Sequence, residues 1–183
     1  MSITNRMSAE QVSAPTDEAS RTRRFLDIRA LTDRLTSTLS AEDQTPQSMT
    51  AASPTKWHRA HVTWFFEEFI LRGDPSYVVY DEAFRYLFNS YYETVGERHP
   101  RPDRGLVTRP GITDITRYRE YVDSAMCDLL ERGDHDESTL ALLELGCNHE
   151  QQHQELILMD LKHLFSTHHF DPVYVDRPVD VPG

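Results

Sequence analysis

The chain has 183 residues, 19 Lys plus Arg against 30 Asp plus Glu, and a formal net charge of −11. One domain is the simplest division of that length, and 38% hydrophobic with 27% charged residues excludes a wholly disordered chain. So acidic a surface argues against nucleic-acid and anionic-membrane binders, and no apolar run approaches the ~18 residues of a membrane span.

Residues 1–17 are small and polar, carry no hydrophobic signal-peptide core, and read as a disordered tail. From about residue 20 to 40, Phe25, Ile28, Leu31, Leu35 and Leu39 follow the three-four spacing of a helix face. Ser53-Pro54 reads as an N-cap followed by proline at the first helical position. The helix it opens carries Trp57, Ala60, His61, Trp64, Phe65, Glu68 and Leu71 on one stripe and ends at Gly73-Asp74-Pro75. A shorter aromatic helix is expected over residues 81–95, then an irregular stretch over 96–113. Thr113 or Asp114 is a candidate cap for a helix with the face Ile115, Tyr118, Val122, Met126, Leu129 and Leu130, closed by Gly133. Asp134 and Glu137 resemble a capping box for the last helix, about residues 136–165 and ~45 Å long. Four long amphipathic helices predict an all-α four-helix bundle over residues 18–170. The extended, proline-containing segment 171–183 reads as a linker.

The nine histidines are many for this length. His149 and His153, four apart on the last helix, lie ~40° apart around its axis and point the same way. Leu142, Leu145, Gln152 and Leu156 share that side. Unpartnered imidazoles between leucines are costly, which favours metal ligation over a merely polar stretch. The pair spells HExxH, the zincin protease signature. The protease reading fails for want of a downstream third ligand, since Glu155 is too near and points off the face.

The third ligand is expected from a facing helix. His61 is the leading candidate, with His58 one turn earlier as the fallback. His163 lies ~15 Å along the axis from His153, and His99, His135, His168 and His169 read as solvent-exposed loop side chains. Three neutral histidines leave open positions on a first-row divalent metal, attract a thiolate, and suit Zn²⁺ and Fe²⁺ alike.

Arg98, Arg101, Arg104 and Arg109 reverse the sign of the chain locally. Arginine forks suit carboxylates, so a carboxylate-binding loop and plain intramolecular pairing both remain open. Cys127 and Cys147 cannot make a disulfide framework, which implies a reducing cytoplasm. Cys147 lies about 160° around the helix from His149, so both cysteines read as structural.

Four blocks are recognisable in order: SPTKWHRAH at 53–61, FNSYYETVG at 88–96, HPRPDRG at 99–105 and LGCNHEQQHQELIL at 145–158. Together they resemble the N-terminal, DinB-like domain of EgtB-type ergothioneine sulfoxide synthases over about residues 20–175. The resemblance implies a non-haem Fe(II) held by His61, His149 and His153. It implies joining of a cysteine or γ-glutamylcysteine thiol to C2 of the hercynine imidazole with O₂, leaving a sulfoxide. Gln152 matches the family's glutamine beside hercynine, and Arg101 and Arg104 match the arginines that hold the thiol substrate's carboxylate. The family's proton-donating tyrosine belongs to a second domain, resembling the formylglycine-generating enzyme, that these 183 residues do not include. No catalytic residue is therefore expected here, and a separate C-terminal domain or a homodimer is the expected partner. The alternatives are a DinB-like Zn²⁺-dependent thiol S-transferase and a non-catalytic metal-binding interaction domain.

Overall fold

The computed structural model describes residues 17–90, 96–133 and 135–175. Among them every regular element is helical: α1 (Asp17–Thr36), α2 (Thr55–Phe69), α3 (Ala83–Phe88), α4 (Ile112–Arg132) and α5 (Glu137–Ser166). Single 3₁₀ segments cover Leu71–Gly73 and Arg101–Leu106. Both α1 and α2 pack against α4 and α5, so each long helix has two long neighbours. No helix among the described residues is long and apolar enough to cross a membrane.

Hydrophobic burial is concentrated on α2. Trp57, Ala60, Trp64, Phe65 and Phe66 join Phe84 and Phe88 of α3, Phe25 of α1, and Ile115, Tyr118, Val122 and Met126 of α4 in one core. Each large apolar side chain contributes on the order of 1.5–3 kcal/mol on burial. Helices α2 and α5 approach closely because of Gly146. A Cβ there would sit 2.5 Å from Cε1 of Phe66, a ring with no solvent exposure.

Several expected boundaries move. The aromatic helix stops at Phe88, where Asn89 turns extended; residues 91–95 lie outside the described residues. Pro54, not Ser53, occupies the N-cap position of α2. Helix α4 starts earlier than expected: its cap is Gly111, whose N–H donates to Asp114 Oδ2 at 3.0 Å. Asp136 caps α5 by accepting the Thr139 N–H at 2.8 Å. That bond and the hydroxyls of Ser138 and Thr139 pull its pKa down to about 2. Asp134 lies outside the described residues. Gly133 closes α4 in the left-handed conformation at φ 67°, as expected for a glycine C-cap.

The larger correction concerns which faces point inward. The inward stripe of α1 is Phe25, Ile28, Arg29, Thr32 and Thr36, while Leu31 and Leu35 are only half-buried. Polar groups displace leucines because the interior is partly ionic. Glu150 of α5, fully buried, accepts from Arg29 Nη1 at 2.7 Å, Thr32 Oγ1 at 2.6 Å and Arg119 Nη2 at 3.3 Å. Arg29 also pairs with Asp123 at 2.6 Å and donates to Thr63 Oγ1 at 2.8 Å. Buried charges persist only when paired and hydrogen-bonded, and these are. On α5 the inward stripe is Leu143, Gly146, Cys147, Glu150, His153, Gln154, Ile157, Asp160 and Leu161. After α5 the chain turns back, and Tyr174 donates its hydroxyl to Leu35 O at 2.6 Å. The segment expected to be a linker is thus tied to α1 through Tyr174; residues 176–183 lie outside the described residues.

Candidate metal centre

The packing of α2 on α5 brings His61 against His149 and His153. Each offers a ligand-capable atom within 4.8 Å of those of the other two, the only such group among the described residues. Ring centroids are 4.9 Å apart for His61–His149, 4.8 Å for His61–His153 and 4.6 Å for His149–His153. Nitrogens bound at ~2.0–2.1 Å to one metal lie ~3–3.4 Å apart, so small side-chain rotations complete the site.

The protonation states suit ligation. Burial, followed by the charge of His149, holds His61 well below the ordinary imidazole range. Burial brings His149 down to about 4. Burial and the other imidazoles also depress His153. All three are neutral at pH 7 and present lone pairs. His61 Nδ1 donates to Phe88 O at 2.6 Å, which leaves Nε2 as its lone-pair nitrogen. His149 Nδ1 is buried without a hydrogen-bond partner. An unpartnered nitrogen on a ring packed against two other imidazoles fits a cation ligand. Three nitrogen donors with no carboxylate among them suit Fe²⁺ or Zn²⁺ and leave further coordination positions for an anionic ligand.

His58, the fallback ligand, is buried outside this group. Its Nδ1 lies 2.8 Å from His153 Nδ1 and its Nε2 3.0 Å from Asp160 Oδ2. Ser53, expected as a helix cap, instead donates its N–H to the same Asp160 oxygen at 2.9 Å.

The arginine loop reaches the site through Arg104. Its guanidinium lies 3.3 Å over the Trp57 ring and donates to Ser53 Oγ at 2.8 Å and Ser90 Oγ at 3.2 Å. Trp57 stacks in turn on His61, at 4.6 Å and 15°. The cation contributes to lowering the pKa of His58, His61 and His153. Arg101 is exposed and donates to Ala51 O. Gln152 and Leu145 lie on the same side of α5 as His149 and are exposed, Leu145 by 54%. The histidine pair thus sits at the border of the interior, beside solvent, rather than in the middle of an inward leucine face.

The other candidates fall away from the group. His163 bonds Ser48 Oγ at 2.8 Å, and His99 bonds Asp103 O at 3.0 Å. His168 and His169 are exposed, as expected, whereas His135 is half-buried with both ring nitrogens unpartnered. Cys147 lies in the apolar core, where burial raises its thiol to about 11, and Cys127 is half-buried; both are free.

Glu150 also departs from the protease signature. A zincin needs this carboxylate as a base on the metal side. Here it points away from the histidine group, toward Arg29 and Thr32 of α1 and Arg119 of α4. Burial works against its charge, but Arg29, Arg119 and Thr32 outweigh that and hold it below the usual carboxylate range.

Sequence reasoning missed Asp160, Ser53 and Trp57 as parts of the site. Asp160 was within reach of it: eleven residues after His149, it falls within ~20° of it around the helix. No model of a known protein family matches this chain, and no curated protein matches it.

Proposed function

We propose that the chain is a DinB-like four-helix bundle carrying the metal-bearing half of an O₂-dependent sulfoxide synthase of the EgtB type. The observation that carries the reading is the convergence of His61, His149 and His153 from two helices, all neutral, beside a buried arginine. A bound Fe(II) would supply open positions for thiolate and O₂ and the electrons that activate O₂. The overall change exchanges one S–H and one ring C–H for a C–S bond and a sulfoxide, and the second oxygen atom leaves as water.

The protein's own residues divide the remaining work. His61, His149 and His153 hold the metal and add no negative charge, which favours an anionic sulfur ligand. Arg101 and Arg104 make the loop side cationic, where a thiol substrate's carboxylate would sit. Gln152, exposed beside His153, offers both a donor and an acceptor to an imidazole substrate. Glu150 takes no part in the chemistry.

Titration with Co(II) or Fe(II) tests the ligand set. His61→Ala and His153→Ala are expected to lose several kcal/mol of metal affinity, while His99→Ala binds like wild type. Oxygen uptake with hercynine and cysteine or γ-glutamylcysteine then tests the reaction. The 183 residues alone are expected to give a thiol-dependent spectral change at Fe(II) with little product. Ring and sulfur must be held ~3–3.5 Å apart and an acid supplied, tasks the resemblance assigns to a second domain. Robust turnover by these residues alone would show that the catalytic apparatus is misplaced. Zn²⁺-dependent thiol transfer without O₂ would replace the reading with an S-transferase. Metal binding with no turnover in any combination would leave an interaction domain.

A further inference from the structure

We propose that Asp160 and His58 are positioning residues that fix the tautomer of His153, so that its Nε2 carries the lone pair offered to a metal. The inference rests on the metal reading above and assigns two residues that the ligand set leaves unexplained.

Asp160 Oδ2 can only accept, and it receives two donors: the Ser53 N–H at 2.9 Å and His58 Nε2 at 3.0 Å. His58 Nε2 therefore carries a hydrogen. A neutral imidazole has one N–H, so His58 Nδ1 is left as an acceptor. Facing it at 2.8 Å is His153 Nδ1. Two nitrogens at that distance need one hydrogen between them, and His58 has none to give. His153 Nδ1 must supply it, which leaves Nε2 bare.

The three groups are well enclosed, with relative exposures of 3% for His58, 9% for His153 and 6% for Asp160. In such surroundings each nitrogen needs its partner. The carboxylate is itself held in place: the Ser53 backbone fixes Oδ2, and Arg104 fixes the Ser53 hydroxyl at 2.8 Å. His61 reaches the same end by a shorter route, donating Nδ1–H to the Phe88 carbonyl. Both rings thus keep Nε2 free for a metal they would hold, one through a backbone carbonyl and one through an imidazole–carboxylate pair. His58 cannot also be a ligand, because both of its nitrogens are committed.

The test uses the metal-free, ¹⁵N-labelled chain and long-range ¹H–¹⁵N correlation of the imidazole nitrogens at neutral pH. The expected result is His58 protonated at Nε2 and His153 at Nδ1. Asp160→Ala is expected to abolish the single tautomer at both and to weaken Co(II) binding about 10- to 100-fold, with helical circular dichroism retained. Asp160→Asn keeps an oxygen for Ser53 and His58, and its amide nitrogen takes the Oδ1 position, which has no partner here. It is expected to keep the tautomers and recover most of the affinity. Wild-type His153 protonated at Nε2, or Asp160→Ala binding Co(II) like wild type, would overturn the relay while leaving the three-histidine site intact. A wild type that binds no Co(II) would overturn the metal reading and the relay's purpose with it. Should Asp160→Ala fail to fold, the wild-type tautomers and the Asp160→Asn titration decide the same question: a changed tautomer at His153 in either protein overturns the relay, and the expected tautomers with near-wild-type affinity in Asp160→Asn support it.

Discussion

His149 and Glu150 are neighbours on α5 and face two different interiors. Glu150 looks toward α1 and α4, where Arg29, Arg119 and Thr32 satisfy both of its oxygens. His149 looks toward α2, where Nδ1 finds no partner among the described residues. One cluster is finished by the protein alone. The other holds neutral imidazoles together at a cost in desolvation and leaves His149 Nδ1 without a hydrogen bond. Both are polar and buried, so burial alone does not separate structure from function. Whether each polar atom is satisfied does.

The strongest way to break this contrast is to remove Glu150. Glu150→Ala leaves Arg29 and Arg119 buried without their shared carboxylate, and loss of one partner of such a cluster costs about 3–5 kcal/mol. Urea unfolding should report that loss, and the protein that remains folded should bind Co(II) as wild type does. A variant as stable as wild type that no longer binds metal would return Glu150 to the site and reverse the comparison.

Acid should strike the other cluster. An unfolded imidazole takes its proton near 6.5, whereas folded His149 does so at about 4. Between those values the unfolded chain holds more protons, so stability is fully present above 6.5 and falls as pH falls through the window. At pH 5, His149 alone removes about 2 kcal/mol relative to pH 8. His58, His61 and His153 are depressed as well and add in the same direction. Urea titrations of the metal-free protein at pH 5 and 8 measure this. An unchanged midpoint would mean that the imidazoles are not enclosed as described.

Gly146 couples core packing to the histidine group, because it sets how closely α5 lies on α2. In Gly146→Ala the methyl group meets Phe66 at 2.5 Å and Phe65 at 3.1 Å, and both rings are buried in the core. Overpacking of this kind costs about 1–3 kcal/mol. Because His149 follows within one turn and its ring lies 4.9 Å from that of Phe65, the same change should also weaken metal binding. Thermal unfolding and Co(II) titration of one variant read both effects. Lost stability with unchanged affinity would uncouple the site from helix spacing.

The helices were legible because α2 and α4 bury apolar residues at regular spacing. The histidine group was legible because His149 and His153, four apart on one helix, need only helical geometry to share a side, and His61 lies on the stripe of the helix packed against them. The inward face of α1 was not, since Arg29 and Thr32 look like surface residues until Glu150 arrives from 118 or more residues away. For the same reason Ser53 looked like a cap. Its role depends on Asp160, 107 residues further on. Local pattern reports what a segment can bury alone, and polar residues are buried only in company.

Gln152 gives the smallest effect on stability and the sharpest separation of roles. It is exposed on α5, one residue before His153. Substitution of such a surface residue changes stability within about 0.5 kcal/mol, and Ala is the better helix former. It is not a ligand, so Co(II) affinity should also be unchanged. If Gln152 serves the imidazole substrate, the only loss in Gln152→Ala appears with hercynine present, as weaker perturbation of the thiol-bound metal spectrum. Equal hercynine response in variant and wild type would remove Gln152 from the site. A fall in metal affinity would instead show that the exposed side of α5 helps to close the ligand group, and that the boundary between finished and unfinished clusters lies further out than His149.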